Sequence, residues 1–528
     1  MLLSGCGGGS SKEKIPSVIN GFPSNYAPPS PNFLIPDEID PNFEILKTNY
    51  TDPYWISSLE LEDPNSSITP VLEENNRVFV LSFPNETPEY DLYEIREWKP
   101  ATNSMTVAAR EISEKINEVL NIQIIEQDTE TLMNVISVGQ SKQIDTSGYS
   151  YFPTPYHEIG MDIFISKSFS DPKFISDTLT NYSYEVLLHE FGHALGLKHP
   201  FEEQGNNTEI LNSTEDKTLF TAMSYNDIAF TFNGNFRPLD WMTLTKYYGV
   251  NPSYNDSDDI YTFSEESAVF VIDGGGIDVI DSSQSSMNTT IDLRYGSHSH
   301  LGAKSSFITS KHQLTISHGS DIENVITGSG DDRIIGNELE NFISSGDGDD
   351  TIFAGGGKDI IVPGNGSDEI DLSEAVLEKD TVVLQISVFD LHFKTIYGFD
   401  QGADGDVINI GNFYEEDLIY YPLVVAGNAP IANVGNGLLR ICGENLNNSQ
   451  DLQNAFNNND SLGKISFIAN MSTIVITSDN QDTGEDQNLF WVDANNSQLE
   501  VVHVARLHGN SLDIDEWHSD NFDVAFVA

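Results

Sequence analysis

The sequence predicts a multidomain chain: an α+β unit built around a metal-binding helix, then a parallel β-roll of nonapeptide repeats, then a β-rich C-terminal region. Three observations predict it. His189, Glu190, His193, Gly196 and His199 stand at H-E-x-x-H-x-x-G-x-x-H spacing. Five nine-residue blocks run without a gap from Thr327 to Asp371. After Leu372, short apolar runs alternate with Asn, Gly and Asp turns. The 528 residues suffice for several cores, and we divide them into a tether (1–50), the α+β domain (51–255), the roll (256–411) and the C-terminal region (412–528). A net charge of −57 argues against polyanions such as nucleic acid as partners.

At the N-terminus, Leu3-Ser4-Gly5-Cys6 resembles the lipobox of bacterial lipoproteins, which implies cleavage before Cys6 and acylation of its thiol. Such an anchor would be the chain's only membrane connection, since no transmembrane helix is evident. Gly7 to Ser11 reads as a flexible tether and Pro16 to Pro53 as an extended one with room for a short inhibitory propeptide. With only Cys6 and Cys442 there is no disulfide framework. Ala101 to Leu120 places apolar residues at a helical period, and Asn121 to Glu126 reads as a strand. Gly160 to Ile165 alternates and is expected to form the sheet's edge, where a substrate strand would add.

On the next helix His189 and His193 lie one turn apart on one face, so two imidazoles can converge on one metal. Gly196 can adopt positive φ and end the helix so that the chain brings back His199 as a third ligand. Three ligands leave a coordination position for water, and Glu190 stands beside it as a general base. This is the chemistry of peptide hydrolysis with one catalytic zinc. The motif resembles that of the metzincins, and Thr221-Ala222-Met223-Ser224-Tyr225, with Met223 placed 24 residues after His199, is similar to the Met-turn of the serralysins. That resemblance implies an α+β metzincin catalytic domain in which Met223 floors the zinc site and Tyr225 ligates the metal or stabilises the tetrahedral intermediate. Pro238 to Trp241 and Tyr247 to Asn251 resemble the serralysin segment that closes the domain with a helix.

In the repeat array, position six holds Asp332, Asn341, Asp350, Asp359 and Asp368, and position eight is Ile throughout. The pattern resembles the calcium repeats of RTX proteins, in which glycine turns and Asp carboxylates surround the ion and the apolar column points inwards. The resemblance implies that successive turns fall on opposite sides and share calcium between blocks two apart. The blocks at 327, 345 and 363 are intact, and two or more structural calcium ions are expected. The block at 336 departs at Asn337, Leu339 and Asn341, so its pairing with the block at 354 is expected to bind calcium weakly or not at all. Asp273 to Asp281, with Asp278 as a calcium ligand, resembles the serralysin segment that opens this domain, and Thr395 to Asp400 with Asp404 to Ile410 the segment that ends it. His298 and His300 are expected in solvated loops.

The resemblance implies a secreted or surface-anchored bacterial zinc endopeptidase acting on extracellular proteins or peptides. Asp523 to Ala528 looks like the tail that serralysins offer to a secretion apparatus, or else a last strand. The rival reading is a calcium-dependent surface adhesion or scaffold protein with an idle metzincin domain.

Overall fold

The computed structural model describes residues 52–410, apart from 62–76, 88–96, 129–133, 144–145, 154–159, 168–180, 205–206, 227–233, 375, 377, 385–393 and 400–405; beyond 410 it describes strand segments only. Cys6 and the final residues 524–528 lie outside the described residues.

The first unit is a six-stranded sheet packed against helices. Its strands are β1 (Val78–Ser82), β2 (Lys99–Pro100), β3 (Gln123–Glu126), β4 (Val135–Ser141), β5 (Gly148–Ser150) and β6 (Ile163–Ser166). They run in the order β3-β1-β4-β6-β5, with β2 on β4. The edge expected at Gly160 to Ile165 lies elsewhere. All four residues of β6 are buried, because β5 pairs antiparallel along its outer side and becomes the edge itself. A strand covered on both faces and both flanks has no reason to alternate.

A short helix α1 (Tyr54–Ser57) precedes the sheet, and α2 (Asn103–Val119) lies across it. The Thr102 hydroxyl caps α2, and Met105, Ala108, Ala109, Ile112, Ile116 and Val119 make one buried stripe. The helix α3 (Asn181–Ala194) carries the histidines, and α4 (Pro238–Tyr248) starts with Pro at its first turn and stops at Gly249 (φ +69°). Phe79, Ile112, Leu188, Phe191, Trp241 and Ile308 belong to one core, which therefore reaches from the sheet into the start of the roll region.

In the roll, strands 333–335, 351–353 and 369–371 pair in parallel in one sheet. Strands 324–326, 342–344 and 360–362 do so in a second. Paired residues are 18 apart, so blocks two apart stack, and Ile334, Ile343, Ile352, Ile361 and Ile370 are fully buried between the sheets. The first sheet continues through 394–397 to 498–512, and the second through 381–384 and 407–410 to 522–523. Strands after residue 412 thus extend the sheets of the roll.

His298 and His300 are not in a solvated loop. They lie on strand His298–Leu301, where the ring of His298 bridges Thr315 Oγ1 (2.9 Å) and Gln313 Oε1 (3.0 Å), and His300 bonds the carbonyl of Gly302 (2.8 Å). Hydroxyl and amide partners supplied by the neighbouring strand make half-buried imidazoles tolerable there.

Candidate metal centre

Helix α3 sets His189 and His193 one turn apart and then ends in a Schellman motif: Leu197 N–H donates to Gly192 O (2.9 Å) and Gly196 N–H to His193 O (2.9 Å), with Gly196 at φ +97°. The reversed chain is held from below. Lys198 N–H donates to Leu59 O (2.9 Å), and the buried Lys198 ammonium donates to the carbonyls of His199, Glu202 and Glu209 at 3.3, 2.9 and 2.9 Å. This tripod folds the loop so that His199 returns to α3.

The three imidazoles converge. His199 Nε2 lies 3.2 Å from His189 Nε2 and 3.1 Å from His193 Nε2. Nitrogens held about 2.0–2.1 Å from a tetrahedral zinc would stand about 3.3 Å apart, so the spacing fits that ion. The other ring nitrogens are engaged: His189 Nδ1 with Ala222 O (2.8 Å), His193 Nδ1 with Leu197 O (2.7 Å) and His199 Nδ1 with Glu202 Oε2 (3.0 Å). Carbonyl and carboxylate acceptors fix the tautomer that leaves each Nε2 lone pair facing the common point. Burial, reinforced by the neighbouring rings, lowers His189 to about 3 and His193 well below its ordinary value, so both are neutral at neutral pH.

Glu190 is 4% exposed and its Oε2 has no hydrogen-bond partner. Burial pushes its carboxyl up to about 8. Met223 is fully buried, and its turn is tied by the buried Asp240 carboxylate, which accepts from Thr221 Oγ1 (2.6 Å) and Ala222 N (2.7 Å). The Tyr225 hydroxyl lies 2.9 Å from His199 Nε2 at the open side of the cluster, with its ring over His189. A cavity of about 370 Å³ beside the cluster is lined by Thr146, Gly148, His189, Glu190, Tyr225 and Arg237. The guanidinium of Arg237 is paired at 2.6 Å with the carboxylate of Glu185.

In the roll, Asp332, Asp350 and Asp368 stack on one side: Asp332 N–H donates to Asp350 Oδ1 (2.8 Å) and Asp350 N–H to Asp368 Oδ1 (3.0 Å). Asp359 stands on the other side, where Asn341 N–H donates to its Oδ1 (2.8 Å) and the Asn341 amide turns to Glu323 O and Asn337 Oδ1. The Oδ2 atoms of Asp278, Asp332, Asp350 and Asp359 are buried with no hydrogen-bond partner. Orphaned carboxylate oxygens in such a place fit a hard cation. Asp278 also gathers with Asp259 and Asp273, their carboxylate oxygens within 4.8 Å of one another.

Several of these residues escaped the sequence reading or, like Asp406, entered it only as part of the closing segment Asp404 to Ile410. Asp380 and Asp406 prolong the Asp359 ladder (Asp359 N–H to Asp380 Oδ1, 2.9 Å; Asp380 N–H to Asp406 Oδ1, 3.0 Å), but their spacings of 21 and 26 residues break the 18-residue rule that would reveal them. Lys198, Glu202 and Asp259 carry no repeat or motif signal at all.

Residues 242–419 match the family model described as Peptidase M10 serralysin C terminal. The chain is 31% identical over 215 residues to serralysin C of Dickeya chrysanthemi (36% of this chain, 43% of that protein). It is 33% identical over 221 residues to a serralysin of Proteus mirabilis (37% and 44%) and 31% identical over 234 residues to the metallopeptidase AprA of Pseudomonas marginalis (38% and 47%). The matches thus span less than half the length of these relatives, and residues 242–419 are similar to the serralysin C-terminal family.

Proposed function

We propose that this protein is an extracellular zinc endopeptidase of serralysin type whose α+β domain is a metzincin catalytic domain and whose roll is held together by calcium. The convergence of three Nε2 atoms beside an orphaned carboxylate is the observation that carries the reading. His189, His193 and His199 would hold the zinc. When bound, zinc supplies Lewis acidity, lowering the pKa of water and polarising a carbonyl.

The remaining work falls to the chain's own groups. A peptide laid along β5 places its scissile bond over Glu190, whose carboxylate takes the proton of the attacking water and returns it to the leaving amine. Tyr225, with its hydroxyl at the open side of the cluster, donates to the developing oxyanion. Asp332, Asp350, Asp359, Asp368 and Asp278 would bind calcium. Secretion fits relatives named serralysin; anchoring through Cys6 rests on its lipobox alone.

The test is cleavage of casein and of quenched peptides by the full chain in calcium, with zinc content measured alongside. Glu190→Gln should keep zinc and lose activity by about 10²-fold or more. Full activity in that variant would overturn the mechanism, and a wild type that binds zinc yet cleaves nothing would favour the adhesion or scaffold reading.

A further inference from the structure

On one side of the roll, the rung after Asp332, Asp350 and Asp368 is a lysine. Thr351 N–H donates to Asp332 O, Glu369 N–H to Asp350 O and Thr395 N–H to Asp368 O, each at 2.8 Å. Each donor follows the residue at the next rung, so Lys394 stands where the series would place its fourth carboxylate. Strand pairing agrees: Glu369 faces Thr395.

The side chain of Lys394 turns into the ladder. The residue is 6% exposed, and its ammonium lies 2.7 Å from Asp368 Oδ2 and donates to Gly366 O at 2.5 Å. The contact with Asp368 is an ion pair: its Oδ2, like those of Asp350 and Asp332 one and two rungs earlier, accepts no hydrogen bond, but of the three it is the one with an ammonium beside it. Gly366 is the fourth residue of its block, as Gly330 and Gly348 are of theirs. Lys394 therefore takes one turn carbonyl and one rung carboxylate, the oxygen types a calcium ion would take, at distances near the roughly 2.3–2.6 Å of calcium coordination. On the opposite ladder the rungs at this end are carboxylates: Asn341, Asp359, Asp380 and Asp406 follow one another along it.

We propose that Lys394 is a resident cation that replaces calcium at the end of the Asp332–Asp350–Asp368 ladder, so that this side takes calcium between its stacked blocks and none beyond Asp368. The inference rests on the calcium reading of the roll. It gives the roll a closing contact that needs no metal, at the point where its sheet passes to strand 394–397 and on to 498–512.

The test uses the full chain, stripped with chelator and titrated with calcium by calorimetry, with melting followed in chelator and in calcium. Lys394→Asp should bind one more calcium per chain than the wild type. It should melt below the wild type in chelator and recover in calcium. Lys394→Met, which keeps an apolar stem but loses the charge, should gain no calcium and should melt several degrees lower in both conditions. If Lys394→Asp fails to fold without calcium, Lys394→Met still decides the matter. An unchanged stoichiometry in Lys394→Asp, or a Lys394→Met chain that melts like the wild type in chelator, would overturn the inference. A wild type that binds no calcium sinks the calcium reading instead, and the Lys394→Met melt still reports on the ammonium.

Discussion

A Cβ on Gly148 would lie 2.8 Å from Glu190 Oε1, and one on Gly192 would lie 2.4 Å from Met223 Sδ. The two glycines let the edge strand approach the carboxylate and let the helix settle onto the methionine. Between them, Glu190 and the histidines are fixed with little freedom, which is what a site that must act without reorganising requires. Tyr225 is the contrasting residue. Although its hydroxyl lies 2.9 Å from His199 Nε2, the side chain is largely exposed, so its position is set by ring contacts with His189 and Phe201. Partial desolvation, reinforced by the carboxylates of Glu190 and Glu202, raises it to about 12, so it is a donor at neutral pH. Tyr225→Phe should therefore lower kcat by about 10²-fold with KM nearly unchanged, the signature of an interaction made in the transition state. Zinc content should stay at the wild-type level. A Phe variant that kept its kcat would remove the tyrosine from the chemistry.

Turns and strands of the roll depend on close backbone approach. Gly346 has φ +88°, and a Cβ there would lie 2.0 Å from Gly328 O of the turn stacked against it. Gly356 is also in a turn, but the nearest atom to its added Cβ is the flexible Glu338 side-chain Oε2 at 2.7 Å. If the roll binds calcium as proposed, Gly346→Ala should abolish the gain in melting temperature that the ion would confer, and Gly356→Ala should leave most of it, as melts with and without calcium would show. Equal behaviour of the two variants would mean that backbone contact does not set the stacking. This contrast also explains what the sequence makes legible. The Ile column and the histidine spacing are periodic, and periodicity survives in one dimension. The edge at β5 was not legible, because three residues between turns carry no alternation. Nor was the burial of His298, which depends on a neighbouring strand more than ten residues away. Asp380 and Lys394 were missed for a related reason: their rungs are reached only after the repeat period has lapsed.

For the molecule as a whole, the acidic charge and the roll form one problem. Burial raises Asp350 to about 7, Asp380 to about 8, and Asp359 and Asp278 to about 9, against an ordinary aspartate near 3.9 in an unfolded chain. Without calcium, then, the folded chain keeps protons that the unfolded chain has released. The stability those groups contribute is present in full below about pH 4 and is lost progressively as pH rises through about 7 to 9. On the proposed calcium reading of the roll, the ion would oppose that loss by supplying the positive charge that the departing protons carried. In chelator, the melting temperature should be higher at about pH 5.5 than at about pH 8.5, and saturating calcium should shrink or reverse the difference. Because calcium competes with those protons, its apparent affinity should rise over the same interval. Melts at the two pH values with and without calcium check this directly. A chelated protein as stable at the higher pH as at the lower would mean that the buried carboxylates are neutralised by something other than protons or calcium, and Lys394 shows that the chain has at least one such device.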